Sequence, residues 1–144
     1  MQSSSKFTIA IHICLFLKFK DQDLVSSQQI AESVKTNPVV IRRMIGCLRE
    51  NGIVGSVAGS KGGYFLKRPS KKITLWKIYN CVKDSDLFNK PKSNPDCVVS
   101  SNLSELVDDA YRRAENSMKS VLDKTTIDQL NHKLSDIVQD ENFC

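Results

Sequence analysis

The five cysteines, at positions 14, 47, 81, 97 and 144, include no Cys-x-x-Cys pair, so the spacing excludes a zinc ribbon or a thioredoxin-type motif. Histidine is nearly absent. His12 and His132 lie far apart on helical patterns, with no nucleophile motif beside either and no phosphate-binding glycine loop anywhere, so the chain does not read as an enzyme. Long hydrophobic runs are lacking too. The longest, "FTIAIHICLFL" from Phe7 to Leu17, is too short to span a bilayer, and "KFKDQD" follows it where a signal peptide would place small residues. Phe7, Ala10, Ile11, Cys14 and Leu17 recur at helical spacing, so the run reads as a core helix of a cytoplasmic protein with no membrane partner and reduced thiols.

Acidic residues are scarce in one half only. Residues 1–83 carry fourteen Lys/Arg against four Asp/Glu, a net of +10, whereas residues 84–144 carry seven against twelve, a net of −5. Such asymmetry points to one half that faces a polyanion and another that faces something else. At 144 residues and 40% apolar content, one compact unit with an appendage is expected.

The elements present are short and well punctuated. Ser26 and Gln29 have capping-box spacing and open a helix through Val34. Asn37 is an N-cap and Pro38 a first helical residue for a helix that runs to Asn51, with Gly52 as its stop. Ile41, Met44 or Ile45, and Leu48 form its apolar face, which turns Val39, Arg42 and Arg43 outward. "IVGSV" and "GGYFL" flank "AGSKG", a hairpin with a basic tip at Ser60, Lys61 and Gly62. Thr74 caps "LWKIYNCVK". A connector with Pro91 and Pro95 leads to a long helix from about Ser101, whose apolar stripe is Leu103, Leu106, Val107, Ala110, Ala114, Met118, Val121 and Leu122. Thr126 and Gln129 repeat the capping-box spacing and open a last helix. The expected divisions are 1–83, 84–98 (the connector) and 99–144.

This order is that of a winged helix-turn-helix: a mainly α fold with a small β-hairpin, whose third helix enters the major groove of double-stranded DNA. Arginine at 42 or 43 can pair with guanine O6 and N7. The second helix offers its N-terminal N–H groups, near Ser26, Ser27 and Gln28, to a phosphate, and Asn37, Pro38 and Val39 lead the third helix in. A stripe as long as that from Leu103 to Leu122 asks for a second copy, which predicts a homodimer. A winged helix used only to bind proteins is the alternative, and Arg42, Arg43 and Lys61 argue against it.

"IAESVKTNPVVIRRMIGCLRENGIVGSVAGSKGGYFL" followed by "ITLWKIYNCVK" resembles the Rrf2 family of bacterial transcription regulators, in the branch that lacks an iron–sulfur cluster. The resemblance covers nearly the whole chain. It implies a DNA-binding regulator, here read as a repressor, with a long C-terminal dimerisation helix and no cofactor or metal. Two departures stand out. Ala58 occupies the wing position where the family commonly has arginine, which leaves Lys61 to approach the minor groove. Cluster-binding members have three close cysteines before the long helix, and here only Cys97 is there; a cluster shared with remote cysteines or across a dimer is the alternative. The resemblance assigns Cys97 to a thiol switch answering oxidants or electrophiles, with Cys144, Cys47 of another subunit or a small thiol as partner. An inert surface cysteine, with a small ligand as the signal, is the other reading.

Overall fold

The computed structural model describes residues 3–138. The chain builds α1 (Ser3–Lys20), α2 (Ser27–Val34), α3 (Pro38–Glu50), β1 (Val54–Val57), β2 (Gly63–Leu66), a 3₁₀ turn (Ser70–Lys72), α4 (Leu75–Val82), α5 (Val98–Leu122) and α6 (Ile127–Ile137). Among the described residues no helix is long and apolar enough to cross a membrane.

The run that opens the chain becomes the central post. α1 packs against α2, α3, α4, α6 and β2, so it has no wide solvent face and buries Ala10, Ile13, Cys14, Phe16 and Leu17. Its apolar residues therefore ring the helix instead of forming one stripe, and Ile11, expected on the core face, is only half-buried while Ile13 is fully buried. Around it, α2 contributes Ile30 and Ala31, α3 contributes Ile41, Met44, Ile45 and Leu48, and α4 contributes Ile78 and Val82.

β1 and β2 pair antiparallel in the register Val54↔Leu66, Gly55↔Phe65, Ser56↔Tyr64 and Val57↔Gly63. A third extended residue joins them. Val25 exchanges two hydrogen bonds with Tyr64, its N–H donating to the Tyr64 carbonyl at 3.1 Å and its carbonyl accepting from Tyr64 N–H at 2.8 Å. Gly63 is small for this reason: a Cβ there would lie 2.9 Å from the Val25 backbone. The hairpin is thereby anchored to the segment that enters α2.

The expected division 99–144 groups the long helix with the last one, and the last helix packs within its own chain. α6 turns back onto α1, and Ile127 is fully buried in the common core. A backbone clasp holds it: Leu75 N–H donates to the Thr125 carbonyl and Ile127 N–H to the Ile73 carbonyl, each at 2.9 Å. Ser70, a buried polar residue, donates its hydroxyl to Asp128 at 3.2 Å. An apolar stripe does not say which neighbour covers it, and here the clasp decides. The long helix also begins earlier than expected, at Val98, and none of its residues is fully buried.

Replacing Ile127 by Ala leaves a cavity in the N-terminal core and is expected to lower unfolding stability by about 3 kcal/mol, read from the urea midpoint. A change under about 0.5 kcal/mol would place α6 outside that core.

Candidate nucleic-acid interface

The turn between α2 and α3 is built from local hydrogen bonds. Ser26 Oγ accepts from Gln29 N–H at 3.1 Å and Gln29 Oε1 accepts from Ser26 N–H at 2.9 Å, the full capping box. α2 ends on Lys35, which adopts the left-handed conformation with φ 59°, while Thr36 N–H reaches back to the Ala31 carbonyl at 3.0 Å. That is a Schellman closure with lysine where glycine is usual. Asn37 then accepts from Val39 N–H at 2.8 Å, and Pro38 occupies the first helical position. Two residues thus separate the end of one helix from the cap of the next, and α2 and α3 pack against each other.

With Ile41, Met44, Ile45 and Leu48 held inward, α3 presents Val39, 51% exposed, and Arg42 and Arg43, both exposed. Neither arginine makes an ion pair or hydrogen bond among the described residues, and the same holds for Lys61. Ser27 is half-buried and Gln28 exposed at the start of α2, and Gln28 contacts Glu32 weakly at 3.4 Å. Ser26, Ser27, Gln28, Asn37, Pro38, Val39, Arg42 and Arg43 therefore share the helix-turn-helix, and Ser60, Lys61 and Gly62 stand on the wing tip.

The wing loop has a rigid inner side. Gly59 has φ +104°, and Gly62 N–H donates to the Gly59 carbonyl at 3.0 Å. A Cβ on Gly62 would lie 2.0 Å from the Val57 carbonyl oxygen. At the other end of the hairpin Arg68 Nε donates to the Gly52 carbonyl at 3.2 Å, tying β2 to the end of α3. Neither Arg68 nor the Val25–Tyr64 pair carries a local sequence signal, since each contact depends on chain that returns from elsewhere.

The histidines have structural neighbours. His12 lies 2.9 Å from Ser33 Oγ between α1 and α2, and burial lowers its pKa. His132 sits beside Asp128 one turn away on α6.

Cys97 is exposed and is the N-cap residue of α5, with no side-chain cap hydrogen bond. The connector before it folds along α5: Phe88 stacks on Tyr111 at 4.4 Å, Lys90 pairs with Asp108 at 2.6 Å, and Asn94 N–H donates to Ser100 Oγ at 2.9 Å. Lys90 also holds the Asp108 carboxyl below its ordinary pKa. The predicted stripe is divided by this packing. Val107, Met118 and Leu122 are half-buried, whereas Leu103, Leu106, Ala110, Ala114 and Val121 remain exposed, Leu106 at 73% and Val121 at 65%.

Residues 3–133 match the family described as Rrf2, iron-dependent transcriptional regulator. The chain belongs to the Rrf2 family. It is 35% identical over 132 residues to YwnA of Bacillus subtilis strain 168, a candidate HTH-type transcriptional regulator, covering 90% of this chain and 97% of YwnA. Its fold is similar to that of the oxidized form of Staphylococcus aureus CymR, with a TM-score of 0.69, 26% identity and coverage of 91% and 96%. CymR (YrzC), the global cysteine regulator of B. subtilis, has the same fold at a TM-score of 0.69, 23% identity and coverage of 92% and 98%. These Rrf2 relatives are regulators, and the winged helix-turn-helix expected from the sequence is the fold observed. The iron in the family's description does not fit this chain's residues. The connector carries one thiol, Cys97, and among the described residues no group of three or more His, Cys, Asp or Glu side chains could hold a metal ion.

Gly62→Ala is expected to cost about 2 kcal/mol by forcing the wing open, whereas Gly46→Ala, whose Cβ would meet nothing within 4 Å in mid-α3, should stabilise by about 0.5–1 kcal/mol. Thermal unfolding of the two variants compares them directly.

Proposed function

We propose that this Rrf2 member is a cytoplasmic, homodimeric repressor that binds a specific double-stranded DNA site and is released by chemistry at Cys97. The observation that carries the DNA reading is the set of exposed, unpaired cations on the helix-turn-helix and its wing, Arg42 and Arg43 on the first turns of α3 and Lys61 on the wing tip. Unpaired arginine near a helix N-terminus suits guanine in the major groove, and lysine on a glycine loop suits phosphate. The exposed part of the α5 stripe, Leu103, Leu106, Ala110, Ala114 and Val121, supports a second copy packed helix against helix. That arrangement would set two α3 helices on two half-sites.

Size argues against a small ligand between the connector and α5, where the cavity is about 70 Å³ against some 300–1,000 Å³ for ordinary ligand pockets; open hollows of about 440 and 560 Å³ lie elsewhere, beside the α2–α3 turn and between the end of α1 and β2. A thiol at the N-cap of α5 lies where the connector meets the long helix, so a bulky or covalent change there tilts the winged bodies relative to one another. Cys144, a suggested partner, lies outside the described residues. Cys47 is half-buried in the winged body.

With a site obtained by selection from random duplexes, Arg42→Ala or Arg43→Ala should weaken specific binding by about 1–3 kcal/mol and non-specific binding much less. Lys61→Ala should lower the salt slope by about one unit. Equal weakening on all sequences by both arginine changes would remove α3 from the reading role.

Mild peroxide or a thiol-reactive electrophile should release the wild type from that site, and reductant should restore it, while Cys97→Ser stays bound throughout. A Cys97→Ser protein that responds like the wild type would refute the sensor assignment.

A further inference from the structure

Lys35 closes α2 in a backbone conformation that its side chain disfavours. Among the described residues two besides glycine have positive φ, Asp21 at 43° and Lys35 at 59°. A short aspartate side chain can bond the nearby backbone in that conformation, whereas lysine only presses its Cβ toward the following carbonyl. The joint itself needs the left-handed turn, because Lys35 N–H reaches back to the Glu32 carbonyl at 3.3 Å and Thr36 N–H to that of Ala31 at 3.0 Å. Glycine makes the same turn without the clash, so nothing in the joint calls for lysine.

What lysine adds is a charge at a particular place. Gln28, Glu32 and Lys35 follow one another at helical spacing along one edge of α2, and they share an open hollow of about 440 Å³ with Asn37 and Pro38 at the start of α3. Lys35 is exposed, and its ammonium makes no ion pair or hydrogen bond among the described residues. Glu32, the acid that lines the hollow, contacts Gln28 at 3.4 Å instead. Lys35 therefore borders the same hollow as the two helix starts that the DNA reading places at the duplex. With α3 in the major groove, the sugar–phosphate wall of that groove runs beside the residues that precede the helix.

We propose that Lys35 is a phosphate-contacting residue of the DNA interface, kept at a left-handed position that glycine would fill with less strain. Strained backbone of this kind persists where function holds it against stability. The contact reads no base, and on any duplex it adds the release of about one counterion. The assignment rests on the DNA reading above and extends it to the turn between the two helices.

The test compares full-length wild type with Lys35→Gly, Lys35→Gln and Lys35→Arg, on a selected site and on a random duplex, over about a tenfold range of salt. Lys35→Gly and Lys35→Gln should each reduce the slope of log affinity against log salt by about 0.9 on both duplexes. Their loss relative to wild type then grows about eightfold for a tenfold dilution of salt. Lys35→Arg should keep the wild-type slope. Lys35→Gln retains a Cβ, so its result isolates the charge from the backbone. Lys35→Gly should also melt about 2–4 °C above the wild type, which a damaged turn does not do. A wild-type slope in Lys35→Gln, a lowered slope in Lys35→Arg, or a Lys35→Gly protein that melts no higher than the wild type overturns the proposal. If Arg42→Ala and Arg43→Ala still weaken specific binding in that event, the DNA reading stands and Lys35 alone is excluded; a wild type that binds neither duplex ends both.

Discussion

Everything in the winged body leans on a helix that is apolar on almost every side. α1 touches three other helices of that body as well as α6 and β2, and its side chains from Ala10 to Leu17 supply the centre of one continuous core. An apolar helix with no polar face can be stable in water only if its neighbours surround it. That requirement recruits α6 from the far end of the chain, because α2, α3 and α4 are too short to close the ring alone. The helix-turn-helix then sits on that support, and the outward face of α3 carries Arg42 and Arg43.

The long helix meets the opposite condition. α5 has no fully buried residue, although its sequence is as periodic as that of α3. Its apolar stripe is shared between the connector and α4 on one side and open space on the other. The Phe88–Tyr111 stack and the Lys90–Asp108 pair show that the segment before α5 is a packed strap rather than a free tether. Cys97 stands at the N-cap position of α5, where that strap meets the long helix. Ion pairs exposed to this degree contribute little stability individually, and their role is to set the path of the strap.

The thiols divide in the same way. Cys97 is exposed, Cys14 is buried, and Cys47 of α3 and Cys81 of α4 lie between these extremes. Sequence spacing could rule out a zinc ribbon, but it could not say which thiols the fold buries, since that depends on how α1, α3 and α4 pack on one another.

What the sequence determined by itself was local. The Ser26–Gln29 and Thr126–Gln129 boxes, the Asn37–Pro38 start, the Gly52 stop and the glycine-rich wing each depend on hydrogen bonds or dihedral angles within a few residues, so they were legible in order and in kind. The outward placement of Val39, Arg42 and Arg43 followed from the 3.6-residue period for the same reason. Tertiary structure decided whatever depends on distant chain: the return of α6 to α1, the Val25–Tyr64 pairing that anchors the wing, the Arg68 bond to Gly52, and the division of the α5 stripe. An apolar face declares that it must be covered, because leaving it in water is unfavourable. Which element covers it is settled only when all the faces compete for one another in three dimensions.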